Sequence, residues 1–215
     1  MSSRVIAGAL ALVLTLAGCA TAESPTPAPT AIASSTPTPT PTPTVDAPRA
    51  TSAVLSLDGL VILDQNSAEL RSASFADPDS TLALVSELMG STPEPVDNRK
   101  FGINHDWSTL RINVNFGTAS IRLLSADIAG LPVSTSEGIH VGSTRDDVLA
   151  LTHVDTTYDG DGDGKPDSMG IEPRPAPGTE SLAHPGQEGT DFIVVFFTGD
   201  TVTGISSPGS DWSDI

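Results

Sequence analysis

Apolar positions divide this chain into three parts. Val5 to Leu16 is a nearly continuous apolar run behind the single basic residue Arg4. From Ala20 to Arg49 large apolar side chains almost vanish, and Thr-Pro repeats take over between Pro37 and Thr44. From Ala50 onward, apolar positions recur with the periods of folded elements. Ala53 to Leu63 is apolar and β-branched around Asp58-Gly59, a pair that tolerates positive φ, so a hairpin is expected there. Arg111 to Phe116 alternates polar and apolar strictly, the pattern of a half-buried strand. Gly117-Thr118-Ala119 then turns the chain, and Ser120 to Leu124 returns as a second strand. Phe192 to Phe197, a turn at Thr198-Gly199-Asp200 and Thr201 to Ile205 predict another hairpin.

Two helices are predicted between these strands. Asp77 is a good N-cap, Pro78 suits the first helical position and Asp79 complements the dipole. Leu82, Val85 and Met89 mark one face with Leu88 beside it, and Gly90 ends the helix. A second start follows Ile139-His140-Val141-Gly142. Here Ser143 is the expected cap, with Asp146 at the third helical position. Val148, Leu151 and Val154 repeat the register of Leu82, Val85 and Leu88. The predicted fold class is therefore α+β. Residues 50–215 hold two tandem units, each a short helix followed by antiparallel strands. An acidic stretch at 158–170 is inserted between the second helix and the closing hairpin.

The amino-terminal run is too short to span a membrane comfortably and fits the core of a signal peptide. It ends at Leu16-Ala17-Gly18-Cys19, which resembles the lipobox of bacterial lipoproteins. The resemblance implies that residues 1–18 are removed and that Cys19 carries the lipid at the outer face of the cell membrane. Cys19 is the only cysteine, so no disulfide competes for it. Two acyl chains anchor stably where one is marginal. Residues 19–49 then form a linker. Proline fixes φ and removes amide donors, so a disordered, extended tether is expected. At ~3.1 Å per residue, Glu23 to Pro48 reaches about 80 Å.

Charge narrows the partners. Lys+Arg number 10 against Asp+Glu 27, a formal net charge of -17. Such a surface repels nucleic acid and anionic headgroups, so no nucleic-acid partner is expected and membrane contact is expected only through the lipid.

Within the insertion, Asp159, Asp161, Asp163, Gly164 and Asp167 fit D-x-D-x-D-G-x-x-D. This is the first nine positions of an EF-hand-type loop and is similar to thrombospondin type 3 and dockerin loops. Carboxylates at the first, third and fifth positions wrap a hard cation. Gly164 makes the sharp turn, Lys165 supplies a carbonyl and Asp167 closes the ninth position. The twelfth position is Gly170 instead of a bidentate Glu. Glu172 lies two residues further and serves only if the chain bends. A weak, structural Ca²⁺ site is expected, about 10⁻⁴–10⁻³ M, with a solvated acidic turn as the alternative.

Gly138 to Val148 matches the G-I-x-x-G-x-(S/T)-x-x-x-V helix start of SmpA/OmlA lipoproteins of the barrel-assembly machinery. The order of elements from Ala73 to Ile205 is also similar to the tandem helix-plus-sheet domains of β-lactamase-inhibitor-like proteins. The whole chain resembles a Gram-positive-type lipoprotein of unknown function. These resemblances imply protein binding without catalysis. The paired cysteines of the inhibitor proteins are missing, so no inhibitory loop carries over.

His105, His140, His153 and His184 show no metal-ligand spacing. His105-Asp106-Trp107 is expected as a polar surface turn, and His140 on an exposed face. No G-x-S-x-G, phosphate loop or H-E-x-x-H occurs. The expected function is a lipid-anchored, non-enzymatic surface module with a protein partner at the envelope. The alternatives are an enzyme acting on wall material and a structural factor in envelope assembly.

Overall fold

Strand β1 (Ala50–Leu55) and strand β2 (Gly59–Asp64) form the expected first hairpin, with Leu55 opposite Leu60 and Ala53 opposite Ile62. These four side chains are all buried. The computed structural model describes residues 47–155 and 158–212. The leader, Cys19 and the tether as far as residue 46 lie outside the described residues.

The turn between β1 and β2 falls at Ser56-Leu57-Asp58, one residue earlier than expected. Gly59 is already in β2, and the reason is packing. A Cβ there would stand 2.0 Å from the Ala73 carbonyl oxygen of strand β3 (Glu69–Ser74). Helix α1 (Pro78–Met89) follows. Asp77 Oδ1 accepts from the Ser80 amide at 3.2 Å, and Gly90 takes φ 70°. Its most buried face is Thr81, Leu84 and Val85, whereas Leu82, Leu88 and Met89 are half-buried. The rotation seats the Thr81 hydroxyl on the Ser74 carbonyl at 2.9 Å.

Strand β4 (Val96–Asp97), a 3₁₀ turn at Arg99–Phe101 and strands β5 (Ile103–Asp106), β6 (Leu110–Asn115) and β7 (Thr118–Leu123) make an antiparallel meander. His105 sits in β5 and is buried, its Nδ1 3.3 Å from the Pro93 carbonyl. It is a strand residue and not the expected turn, because Asn104 and Asp106 pair across to β6. Strands β8 (Asp127–Ile128) and β9 (Leu131–Thr135) lead to helix α2 (Arg145–Leu149).

The α2 cap is Thr144 with Asp147, one residue beyond the expected Ser143 and Asp146. Thr144 donates its amide to Asp147 Oδ2 at 2.8 Å, and Asp147 returns its own amide to Thr144 Oγ1 at 3.2 Å. Ser143 instead uses its hydroxyl to accept from the His140 amide. The helix stops at Leu149, so Leu151 lies beyond it and Val154 falls in strand β10 (His153–Asp155). Thr152, His153 and Val154 are poor helix formers, and this segment pairs with a strand instead.

Strands β11 (Ser168–Glu180), β12 (Glu188–Thr198) and β13 (Thr201–Ser210) complete a second antiparallel meander. The last three residues of the predicted insertion, Ser168 to Gly170, thus belong to β11. Its prolines, Pro173, Pro175 and Pro177, read against a strand. They are tolerated because β10 pairs only with Met169 to Ile171, so further along one edge of β11 needs no donors.

The described residues are mostly β, with two short helices and two sheets. The five-stranded sheet runs β3-β2-β1-β9-β8, with β1 and β9 parallel. The eight-stranded sheet runs β10-β11-β12-β13-β7-β6-β5-β4. Each helix is followed by one of the two meanders, and their final strands, β7 and β13, meet antiparallel at the centre. One face of this larger sheet buries Ile112, Ile121, Leu123, Ile193, Val195 and Ile205 against Leu55, Leu60 and Ile62. The alternate positions, Arg111, Asn113, Ser120, Arg122 and Ser206, form an open face.

Candidate functional site

The acidic loop folds around its own carboxylates. Asp159 Oδ1 accepts from the Gly162 amide at 2.8 Å and its Oδ2 from the Gly164 amide at 3.0 Å. Asp161 accepts from the Asp163 amide at 3.1 Å, and Asp163 from the Lys165 amide at 2.8 Å. Asp167 Oδ2 accepts from the Gly160 amide at 2.7 Å. Gly162 and Gly164 take φ 77° and 82°, a region costly for other residues. Oxygens of Asp159, Asp161 and Asp167 lie within 4.8 Å of one another, close enough to hold one metal ion. Asp163 does not belong to that trio. Glu172 is not part of it either, because the loop runs straight into β11 and Glu172 occupies a bulge there at φ 53°.

The loop is tied to its surroundings at one end. The Lys165 ammonium pairs with Asp200 at 2.7 Å, and this bond raises the lysine pKa and lowers that of the aspartate. Arg145, the first residue of α2, is buried and donates to the Pro166 carbonyl at 2.9 Å and the Gly199 carbonyl at 2.8 Å. Its guanidinium lies 4.0 Å from the centre of the Phe197 ring. The Phe197 amide in turn donates to the Asp167 carbonyl at 2.8 Å. The sequence pattern found the carboxylates but missed this Arg145 anchor, whose only signal was a basic residue at a helix start.

A second feature was not expected from the sequence. Beyond Ser207, strands β7 and β13 no longer pair, and a hollow of about 550 Å³ opens between them. Phe75, Phe116, Pro208 and Trp212 line it, with Arg174 and Asp191 at its polar side. Arg174 pairs with Asp58 at 2.9 Å, and the Trp212 indole donates to Asp191 at 2.8 Å. A smaller hollow of about 370 Å³ on the open face is lined by Phe101, Asn104, Arg111 and Arg122. Asn113, Ser120 and Pro208 line both hollows, so the two make one trough.

Phe116 stands at the trough's rim and breaks two local rules together. Its φ is 49° in the β6–β7 turn, where Asn, Asp or Gly is preferred. The residue is 93% exposed. A bulky residue with positive φ costs about 1–3 kcal/mol, and such strain gathers at functional sites.

Cys19 lies outside the described residues. Among the described residues no helix is long and apolar enough to cross a membrane. No protein-family model, no curated protein and no solved structure matches this chain.

Proposed function

We propose that the chain is a lipid-anchored binding module at the outer face of the cell membrane, without catalytic activity, that holds a segment of a partner protein in the trough. Phe116 is the observation that carries this reading. A strained, exposed aromatic beside an apolar hollow gains contacts only when something covers it. The lipobox-like Cys19 and the Pro/Thr tether supply the anchor and the reach. The order of elements supports two tandem helix-plus-sheet units joined at β7 and β13. That order, with Gly138 to Val148, keeps the likeness to β-lactamase-inhibitor-like and SmpA/OmlA-like proteins as the family reading.

Calcium has a structural part in this proposal. Asp159, Asp161 and Asp167 hold the ion, and the Asp163 carboxylate and Lys165 carbonyl complete its shell. Bound there, it neutralises carboxylates that repel one another by about 1 kcal/mol or less per pair in water. It stiffens the long connection into β11.

The test is a photo-reactive side chain at position 116 in the lipidated, full-length protein on cells. One partner cross-linked there, and not from a control at exposed Leu182, is the expected result. Equal labelling at both positions, or none at either, rejects the trough as the binding surface.

A further inference from the structure

We infer that Arg122 recognises a carboxylate and that the segment held in the trough is acidic as well as apolar, an inference that rests on the binding-module reading above. The placement of basic residues is the starting point. The chain holds only 10 Lys and Arg against 27 Asp and Glu. Yet Arg99, Lys100, Arg111 and Arg122 all belong to one end of the trough, on or beside its lining. Arg111 and Arg122 are directly opposite each other on β6 and β7. Like charges in that position weaken a sheet. A chain so rich in carboxylates has ample means to avoid the clash, and Arg111 alone is relieved, by Asp106.

Arg122 pairs with no carboxylate among the described residues. It lies over Phe196, 4.2 Å from the ring centre. That contact holds the guanidinium plane while leaving its N–H edge for a ligand. A planar fork held in this way suits a carboxylate, which takes two parallel hydrogen bonds. Ser120 and Ser206 flank it on the open face, and Ser206 is its neighbour on β13. Asn113 is fixed beside it, donating at 2.7 Å to both the Phe101 carbonyl and Asn104 Oδ1.

The amount of charge argues for a protein segment over a polyanion. With Arg111 compensated, the uncompensated cations match one or a few carboxylates. A phosphate polymer with a charge on every unit meets the field of a chain at -17 along the rest of its length. The two hollows share Asn113, Ser120 and Pro208, so one extended segment spans both. Its carboxylate meets Arg122 and an apolar side chain covers Phe116.

Displayed random dodecapeptides are selected on the full-length protein in detergent micelles, in parallel on wild type, Arg122→Gln, Arg122→Lys and Phe116→Ser. Thermal melts first confirm that each variant folds. The expected wild-type pool pairs Asp or Glu with an aromatic or aliphatic residue. Chosen peptides should bind Arg122→Gln at least about tenfold more weakly, with Arg122→Lys in between, since a charge-assisted bond is lost. Apolar peptides without acidic residues, lost only in Phe116→Ser, overturn the inference and leave the binding-module reading standing. Inorganic polyphosphate that binds through Arg122 while acidic peptides do not overturns the assignment to a protein segment. A wild-type pool with no enrichment over bare micelles overturns both readings.

Discussion

The guanidinium of Arg145 reaches the carbonyl of Pro166 at 2.9 Å, joining the start of helix α2 to the exit of the acidic loop. The same side chain holds the Gly199 carbonyl in the β12–β13 turn at 2.8 Å. One buried cation therefore fixes three segments that are far apart in sequence. Its Nε lies 3.4 Å from Asp200 without a hydrogen bond, so the two carbonyls and the Phe197 ring dominate its role.

Replacing this residue by an apolar side chain of similar length, Arg145→Met, leaves both carbonyls without their donor. We expect a loss of about 3 kcal/mol in unfolding free energy, read by urea titration. Calcium affinity should fall as well, since the loop loses the tie at Pro166. Unchanged stability would mean that water replaces the guanidinium without cost.

The three clustered carboxylates and the outlying one make a sharper test of the metal loop than removing all of them. Asp161→Asn should weaken calcium binding clearly more than Asp163→Asn. At a calcium concentration about ten times Kd, wild type should gain about 1.4 kcal/mol of stability. Calorimetric titration of the two variants decides the order. Equal effects would show that Asp163 contributes as much to the ion as a member of the trio.

Acid should weaken the fold through carboxylates that accept amide bonds. Asp64 accepts from the amides of Ala68 and Asn66, both at 2.8 Å, which holds its pKa below the ordinary value of 3.8. Asp147 is lowered too, by its bonds from Thr144. Each is lower in the folded state, so its contribution is complete above the unfolded value and is lost as pH falls through the folded one. Asp64→Ala should flatten the fall in stability below about pH 4, measured by denaturant titration across pH.

Glu172 holds a conformation that glycine adopts freely. Its φ is 53°, and its Oε1 is buried without a partner. Burial and then the Glu172 charge push the nearby Glu137 carboxyl upward. Glu172→Gly should therefore raise stability at neutral pH by about 1 kcal/mol. A raised carboxyl makes stability decline as pH rises through its titration. That decline should be smaller in the variant, and Glu137 should titrate lower by NMR. An unshifted Glu137 would leave burial as the whole cause.

Several local features were legible because their causes are local. Asp77, Pro78 and Gly90 bound helix α1 through groups within a few residues of one another. The alternation from Arg111 to Phe116 placed β6 within one residue. The spacing of Asp159, Asp161 and Asp167 anticipated carboxylates that do gather. The length of α2 was not legible, because β11 takes the segment that would have continued it. Nor was the strand character of Pro173 to Pro177, which depends on which edge of β11 remains unpaired.

The sequence by itself determined the cap of helix α1, the main hairpins and the acidic loop. Each follows from backbone preferences or from side-chain spacing along a short stretch. Only the tertiary structure decided that Arg145 anchors that loop. It alone brought Phe75, Phe116 and Trp212 to one hollow and set Arg122 over the Phe196 ring. Those placements depend on β7 and β13 meeting at the centre of the sheet and then parting. Strand pairing across so many residues leaves no local pattern to read.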